Sequence, residues 1–177
     1  MSDIRYIPRY PVEARKDPAV APAPWDVDRA DWPGAAEVLS GAEARILCAV
    51  LLCLCPHDWL GDGPYRLATL RIDAAASASA GDALLVRELI GAVEEAAGGK
   101  FGDLDFDART DILRGLEETP GFRRVLALTI RHLYDDPVVW AGCGYEGVVG
   151  CHPDAVRDNN NDLDWLPDAE SLIRGAI

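Results

Sequence analysis

The chain has 177 residues, of which 49% are hydrophobic and 27% charged, a composition typical of one globular domain with extensions. Its net charge of −13 disfavours binding to nucleic acid or to an anionic membrane surface, because both partners are themselves negative. The longest apolar run, 46–54, is too short to span a membrane.

The N-terminus and the cysteines bear on the cellular compartment. The basic N-terminal residues are followed by no apolar segment, so no secretory signal is visible. The odd count of five cysteines, three of them between Cys48 and Cys55, is not a disulfide framework and suits a reducing compartment. We therefore expect a cytoplasmic protein, with export alongside a partner that carries its own signal left open. A bridge between Cys143 and Cys151 would require such export.

Residues 1–37 are rich in proline, which prevents a helix and predicts an extended N-terminal arm. A disordered tail is the alternative interpretation. Tyr6, Tyr10, Trp25 and Trp32 favour an arm laid on a surface, because disordered tails are poor in aromatic residues.

Two helices are predicted next. Ser40 and Glu43 have the spacing of a capping box, and the helix that follows, 44–54, is apolar on nearly every side. A helix of that kind is expected at the centre of the fold. A weaker helical pattern covers 65–77.

Three more helices complete the predicted body. Asp82 is the expected cap of the third, which ends at the glycine pair beginning at Gly98, and Asp107 is the expected cap of a short fourth. Pro120 begins the fifth, which ends near Tyr134. The expected core stripe of that helix is Phe122, Val125, Leu126, Thr129, Ile130 and Leu133. These patterns predict an all-α domain of four to five helices over 38–134.

Residues 135–177 combine aromatic side chains with glycines and acidic residues, without a helical or strand period. Large aromatic side chains on irregular backbone are typical of surfaces that become buried on a partner. We therefore predict an irregular C-terminal docking arm. Together with the N-terminal arm, its predicted partner-binding residues are Trp140, Tyr145, Trp165, Leu166, Trp25 and Trp32.

Several short sequence segments resemble the gluconate 2-dehydrogenase subunit 3 family, the small subunit of bacterial flavin-dependent sugar dehydrogenases. They are LSGAEARIL at 39–47, FGDLDFDARTDILRGLEETPGF at 101–122, LYDDPVVW at 133–140, GYEG at 144–147 and DLDWLP at 162–167. The resemblance thus covers about residues 39–167.

This resemblance implies a helical, non-catalytic subunit that binds a glucose-methanol-choline (GMC) type large subunit in a hetero-oligomer. FAD is then expected on the partner, with no cofactor, metal or catalytic residue on this chain. Consistent with that, no G-x-G-x-x-G loop follows a strand. The chain departs from exported members in lacking a twin-arginine signal at its N-terminus. A third possibility is a chaperone that releases its partner. It would differ from a permanent subunit only in the lifetime of the complex.

The alternative function is a stand-alone helical metal protein or enzyme. Its candidate residues are His57, Cys143, Cys151 and His152, which are the residue types that bind zinc. Nothing in their spacing brings them together. The acidic run at 158–164 lacks the glycine and the distal glutamate of an EF-hand loop. The three cysteines of the first helix are expected to be buried free thiols.

Overall fold

The computed structural model describes residues 26–143, which form six α-helices and two short 3₁₀-helices and contain no strand. The α-helices are α1 (Gly41–Leu54), α2 (Asp62–Ser77), α3 (Ala80–Ala96), α4 (Phe106–Arg114), α5 (Pro120–Leu133) and α6 (Pro137–Cys143). The 3₁₀-helices are Trp32–Ala35 and Phe101–Asp103. The predicted all-α class is confirmed. None of the helices in this part of the chain is long and apolar enough to cross a membrane.

Helix α1 lies at the centre, as its sequence predicts. The Ser40 hydroxyl accepts a hydrogen bond from the Glu43 amide at 3.2 Å, and the Glu43 carboxylate accepts one from the Ser40 amide at 2.7 Å. Beyond this capping box the helix contacts α2, α3, α4 and α5 and buries Leu47, Val50 and Leu51 completely. The apolar residues around its circumference are therefore explained by neighbours on several sides.

Two predicted caps are wrong by a few residues. Ser79, not Asp82, caps α3, because its side chain accepts the Asp82 amide at 3.3 Å and leaves the Asp82 carboxylate free for another partner. Asp105, not Asp107, caps α4 by accepting the Ala108 amide at 2.8 Å. Both true caps lie immediately before the helix, where a side-chain oxygen reaches the third residue on.

Helices α3 and α5 approach each other closely. The Cβ that an alanine would place at Gly121 lies only 2.9 Å from the Leu85 carbonyl oxygen, so the glycine permits this contact between backbones. The Asp82 carboxylate receives two hydrogen bonds of 2.6 Å from the Arg124 guanidinium across the same interface. The direction of α5 relative to α3 is thereby fixed at its first turn.

Residues 26–39 form a strap that lies on α1 and α2. The carboxylate of Asp73, a residue only 1% exposed, accepts the backbone amides of Glu37 at 2.6 Å, Val38 at 3.1 Å and Leu39 at 2.8 Å. These bonds satisfy both the buried carboxylate oxygens and three backbone donors. The sequence analysis did not identify Asp73. The sequence does contain a signal for it: Asp73 is an acidic residue on the buried side of α2, four residues after the buried Thr69.

Trp32 was predicted to bind a partner, and the structure places it elsewhere. Its side chain is only 8% exposed and belongs to the core, with the Arg66 guanidinium 6.0 Å from the ring centroid. The strap folds into a 3₁₀ turn here instead of remaining extended, which turns the indole inward. This prediction is corrected: Trp32 is a core residue of this chain.

The end of the described chain is also more regular than predicted. Residues 137–143 are helical, although the sequence analysis expected irregular backbone from 135. The Asp136 carboxylate accepts the Val138 amide at 2.9 Å, and Pro137 occupies the first helical position, which it favours. The predictions for Trp25, Tyr145, Trp165 and Leu166 lie outside the described residues.

Candidate functional site

The loop after α1 meets the junction of α5 and α6 in a cluster that we call the aromatic corner: His57, Trp59, Tyr134 and Trp140. The His57 Nε2 atom lies 2.9 Å from the Tyr134 hydroxyl, and the two rings meet edge-on with centroids 5.7 Å apart. Trp59 packs against the other side of His57 at 5.0 Å between centroids. None of the four side chains is fully buried.

Helix α6 is held against this corner by two further contacts. The Trp140 indole nitrogen donates a hydrogen bond to the Tyr134 carbonyl oxygen. A Cβ at Gly142 would overlap the six-membered ring of Trp59, so only glycine lets the backbone of α6 come this close. Trp140, a predicted partner-binding residue, therefore lies partly on this chain and partly open to a partner.

Buried or partly buried hydroxyl and thiol groups lie beneath the corner. The Tyr65 hydroxyl is buried and donates to the Cys55 carbonyl oxygen at 2.6 Å, and burial raises the pKa of Tyr65 to about 12. Burial also raises the pKa of the Cys55 thiol and, with the neighbouring Cys55 and Cys143 thiols, that of Tyr134. At neutral pH these groups stay protonated, so none supplies an activated nucleophile.

The alternative metal set is only partly described. His57 hydrogen-bonds to Tyr134, and Cys143 directly follows Gly142, whose backbone lies against the Trp59 ring, so these two candidate ligands lie near the same corner. Cys151 and His152 lie outside the described residues. Within 26–143 no three His, Cys, Asp or Glu side chains are grouped as metal ligands are.

Other candidate residues have ordinary structural roles. Cys48, Cys53 and Cys55 are buried free thiols, as predicted, and burial raises the pKa of Cys48 to about 11. His132 is half-buried, and its buried Nε2 atom has no hydrogen-bond partner in the described part of the chain. Desolvation, reinforced by nearby arginines, lowers the pKa of His132 and favours the neutral ring.

A half-open cleft of about 340 Å³ lies between α1 and α2. Its Arg66 guanidinium is already bound by the Asp62 carboxylate at 3.1 Å and the Val27 carbonyl oxygen at 3.2 Å. The remaining charged side chain that lines it, Arg45, is exposed. The Cys48 thiol also lines the cleft, but burial raises its pKa to about 11, so it is not an activated nucleophile at neutral pH.

The predicted core stripe of α5 is correct at most positions and wrong at one. Phe122, Val125, Thr129 and Leu133 are buried and Leu126 is partly buried against the core, whereas Ile130 is 50% exposed. Leu128 is buried in addition, because α5 is flanked by both α2 and α3 and its buried arc is turned toward them. The apolar side chains of α5 thus extend beyond the surface that neighbours within 26–143 cover.

Comparisons with protein-family models, curated proteins and solved structures find no match to this chain. The family resemblance therefore depends on the short sequence segments alone. Three of those segments contain the ends of helices. Segment 39–47 includes the start of α1, and 101–122 contains α4 and the start of α5. Segment 133–140 forms the turn between α5 and α6.

Proposed function

We propose that this chain is a non-catalytic small subunit that binds and stabilises the large subunit of an FAD-dependent, GMC-type sugar dehydrogenase. The observation that carries the proposal is the aromatic corner, where four large rings are fixed in place yet remain partly open. Rigid, partly exposed aromatic side chains are the usual anchors of protein interfaces. Two of its four residues, Tyr134 and Trp140, lie in LYDDPVVW, one of the segments that resemble the subunit 3 family.

The electrostatics of the corner agree with a binding role. The pKa values of the Tyr134 phenol and of the neighbouring Cys55 thiol are raised, which disfavours proton transfer at neutral pH, and the His57 imidazole is engaged with the phenol. In this proposal the redox chemistry belongs to the FAD of the partner. This chain contributes binding energy, which stabilises the folded partner by mass action.

The test is co-expression of this chain with the product of its neighbouring reading frame, followed by purification through a tag on this chain. We expect a yellow complex that oxidises a sugar. Trp140→Ala, alone and combined with Trp165→Ala, should reduce the yield of complex, while the turnover of each intact complex stays unchanged.

Two outcomes would contradict the proposal. A wild-type yield of complex from the double variant would remove the docking role of the aromatic residues. A normal yield with collapsed turnover would place this chain in the active site. Stoichiometric zinc or iron in the purified chain would instead favour the alternative metal protein built on His57, Cys143, Cys151 and His152.

A further inference from the structure

His132 continues the buried arc of α5 into the last turn of the helix. It follows Leu128 by four residues and Thr129 by three, and both of those side chains are buried. The side chain of His132 is half-buried, and its Nε2 atom is closed off from solvent without a hydrogen-bond partner among residues 26–143. A ring nitrogen in that position favours the neutral imidazole, because an unpaired N–H of a charged ring costs far more to bury.

The backbone of His132 is tied to α2. Arg71 on α2 donates a hydrogen bond from its Nη1 atom to the His132 carbonyl oxygen at 3.1 Å. Carbonyl oxygens in the last turn of a helix lack a partner further along it, and a positive side chain is favourable at this end of the helix dipole. The Arg71 contact therefore joins the last turn of α5 to α2.

The charges around His132 oppose its protonation. Arg131 on the same helix and Arg71 on α2 both repel an imidazolium, whereas Asp135 attracts one. Within 26–143 these are the charged groups that act on the ring, and α2 is the packed element that contributes one. Desolvation has a larger effect than any of them, and it also lowers the pKa of His132. The closed arrangement thus keeps the ring neutral at a pH where a solvated histidine is already charged.

We propose that the last turn of α5 is an acid-sensitive contact, which opens when His132 takes up a proton and its ring leaves the buried position for water. Protonation places an N–H donor on both ring nitrogens, and Nε2 has no acceptor for it among residues 26–143. Water solvates the charge and screens it from Arg71. The contact requires neither a partner nor a cofactor, so it is independent of the proposed function.

The aromatic corner lies directly beyond this turn. Tyr134 is the C-cap residue of α5, and its hydroxyl meets the His57 Nε2 atom at 2.9 Å. Opening of the last turn therefore releases Tyr134 from its fixed position beside His57. The other end of α5 stays closed, because its bond to Arg124 lowers the pKa of Asp82 and keeps that carboxylate charged in mild acid. Acid is expected to loosen one end of α5 only.

The test measures amide hydrogen exchange of the full chain by NMR between about pH 7.5 and about pH 5.5, with the intrinsic exchange rates divided out. The protection factors of the amides at 130–134 should fall by up to about tenfold. This is the limit for uptake of one proton by an open state with the usual histidine pKa of about 6.5. The protection factors at 123–126, in the first half of α5, should stay constant.

Two variants assign the response to one imidazole. His132→Gln keeps a polar side chain that does not titrate, so protection of the last turn should be the same at both pH values. His57→Gln is the matched control, because it removes the imidazole of the corner and should retain the wild-type response. A wild-type response in His132→Gln, or its loss in His57→Gln, would assign the effect to another group and overturn the inference.

A second measurement on the wild-type chain does not depend on the folding of any variant. Titration of the His132 ring signals by NMR should give a pKa below the value of 6.5 that is usual for histidine. A pKa at or above that value would overturn the inference, as would unchanged protection of the last turn. A uniform loss of protection in all helices at low pH would also overturn it, because the whole domain would then respond.

Discussion

Trp32 and Trp140 lie at opposite ends of the described chain and were predicted to play the same role, yet their environments differ. Trp32 is in the core, whereas Trp140 is only half-buried. The backbone that follows Trp32 is fixed by three amide hydrogen bonds to the buried Asp73. Trp140 is tied to the body through the Tyr134 carbonyl oxygen, on a short helix. Trp32 therefore turns inward beside backbone that a buried hydrogen-bond acceptor, Asp73, fixes in place.

The largest effect is expected at that acceptor. Asp73→Ala would leave three backbone amides without a partner and should lower the free energy of unfolding by about 3 kcal/mol. It should also release the strap, so that Trp32 becomes exposed and the tryptophan fluorescence shifts to longer wavelength. Urea unfolding followed by fluorescence measures both changes.

The control for this variant is Asp111→Ala, which removes an exposed carboxylate that pairs only with the neighbouring Arg114. Exposed pairs of this kind contribute little, so its stability should stay within about 0.5 kcal/mol of wild type. Equal stability of the Asp73 and Asp111 variants would mean that the strap does not depend on Asp73.

The next effect concerns the close packing of α5 against α3. Gly121→Ala places a methyl group 2.9 Å from the Leu85 carbonyl oxygen and 3.2 Å from the Leu89 amide nitrogen, so α3 and α5 must separate. We expect a loss of about 2 kcal/mol, the typical cost of overpacking, measured by urea unfolding. Gly91→Ala on α3, where no atom lies within 4 Å of the new methyl group, should instead raise stability by about 0.5 kcal/mol. A stable Gly121 variant would contradict the close approach.

A smaller effect is expected from pH through His132. Desolvation lowers its pKa in the folded chain below the value of 6.5 that is usual for histidine, so the unfolded chain binds a proton first on acidification. Stability should therefore be greatest above that usual value and fall as the pH moves from it toward the lower folded value. His132→Gln should flatten this part of the profile, measured as unfolding free energy between about pH 7.5 and about pH 5.5. An unchanged slope would show that His132 is not desolvated.

The smallest effect is a difference in reactivity between a buried thiol and an exposed one. Cys143 is exposed, whereas Cys48 is buried and has its pKa raised by desolvation to about 11. Alkylation by iodoacetamide, mapped by mass spectrometry, should label Cys143 in the native chain and Cys48 only after unfolding. Labelling of Cys48 at the same rate would indicate that the core opens readily.

Local signals in the sequence predicted much of the fold. The capping box at Ser40, the glycine pair that ends α3 and Pro120 at the start of α5 each act within a few residues, so the sequence contains the whole signal. The glycines Gly98 and Gly99 both adopt positive φ, at 62° and 77°, as a helix end of this kind requires. These elements need no knowledge of distant neighbours.

The features that were missed depend on contacts between distant segments. Asp73 binds backbone 34 to 36 residues away, and Tyr134 meets His57 across 77 positions. The periodicity of α5 placed Ile130 in the core because a helical pattern shows which residues are apolar, not how wide an arc the neighbours cover. The aromatic corner was visible only as separate residues.

The central proposal is that a flavoprotein partner covers the aromatic corner, and amide hydrogen exchange tests it most directly. The loop 56–61 and the short helix 137–143 should exchange readily in the free chain and become protected when a flavoprotein that co-purifies with this chain is added. Peptides from α4, on the exposed part of the body, should exchange at the same rate in both states. Protection confined to α4, or no protection in a mixture that forms a complex, would contradict this account.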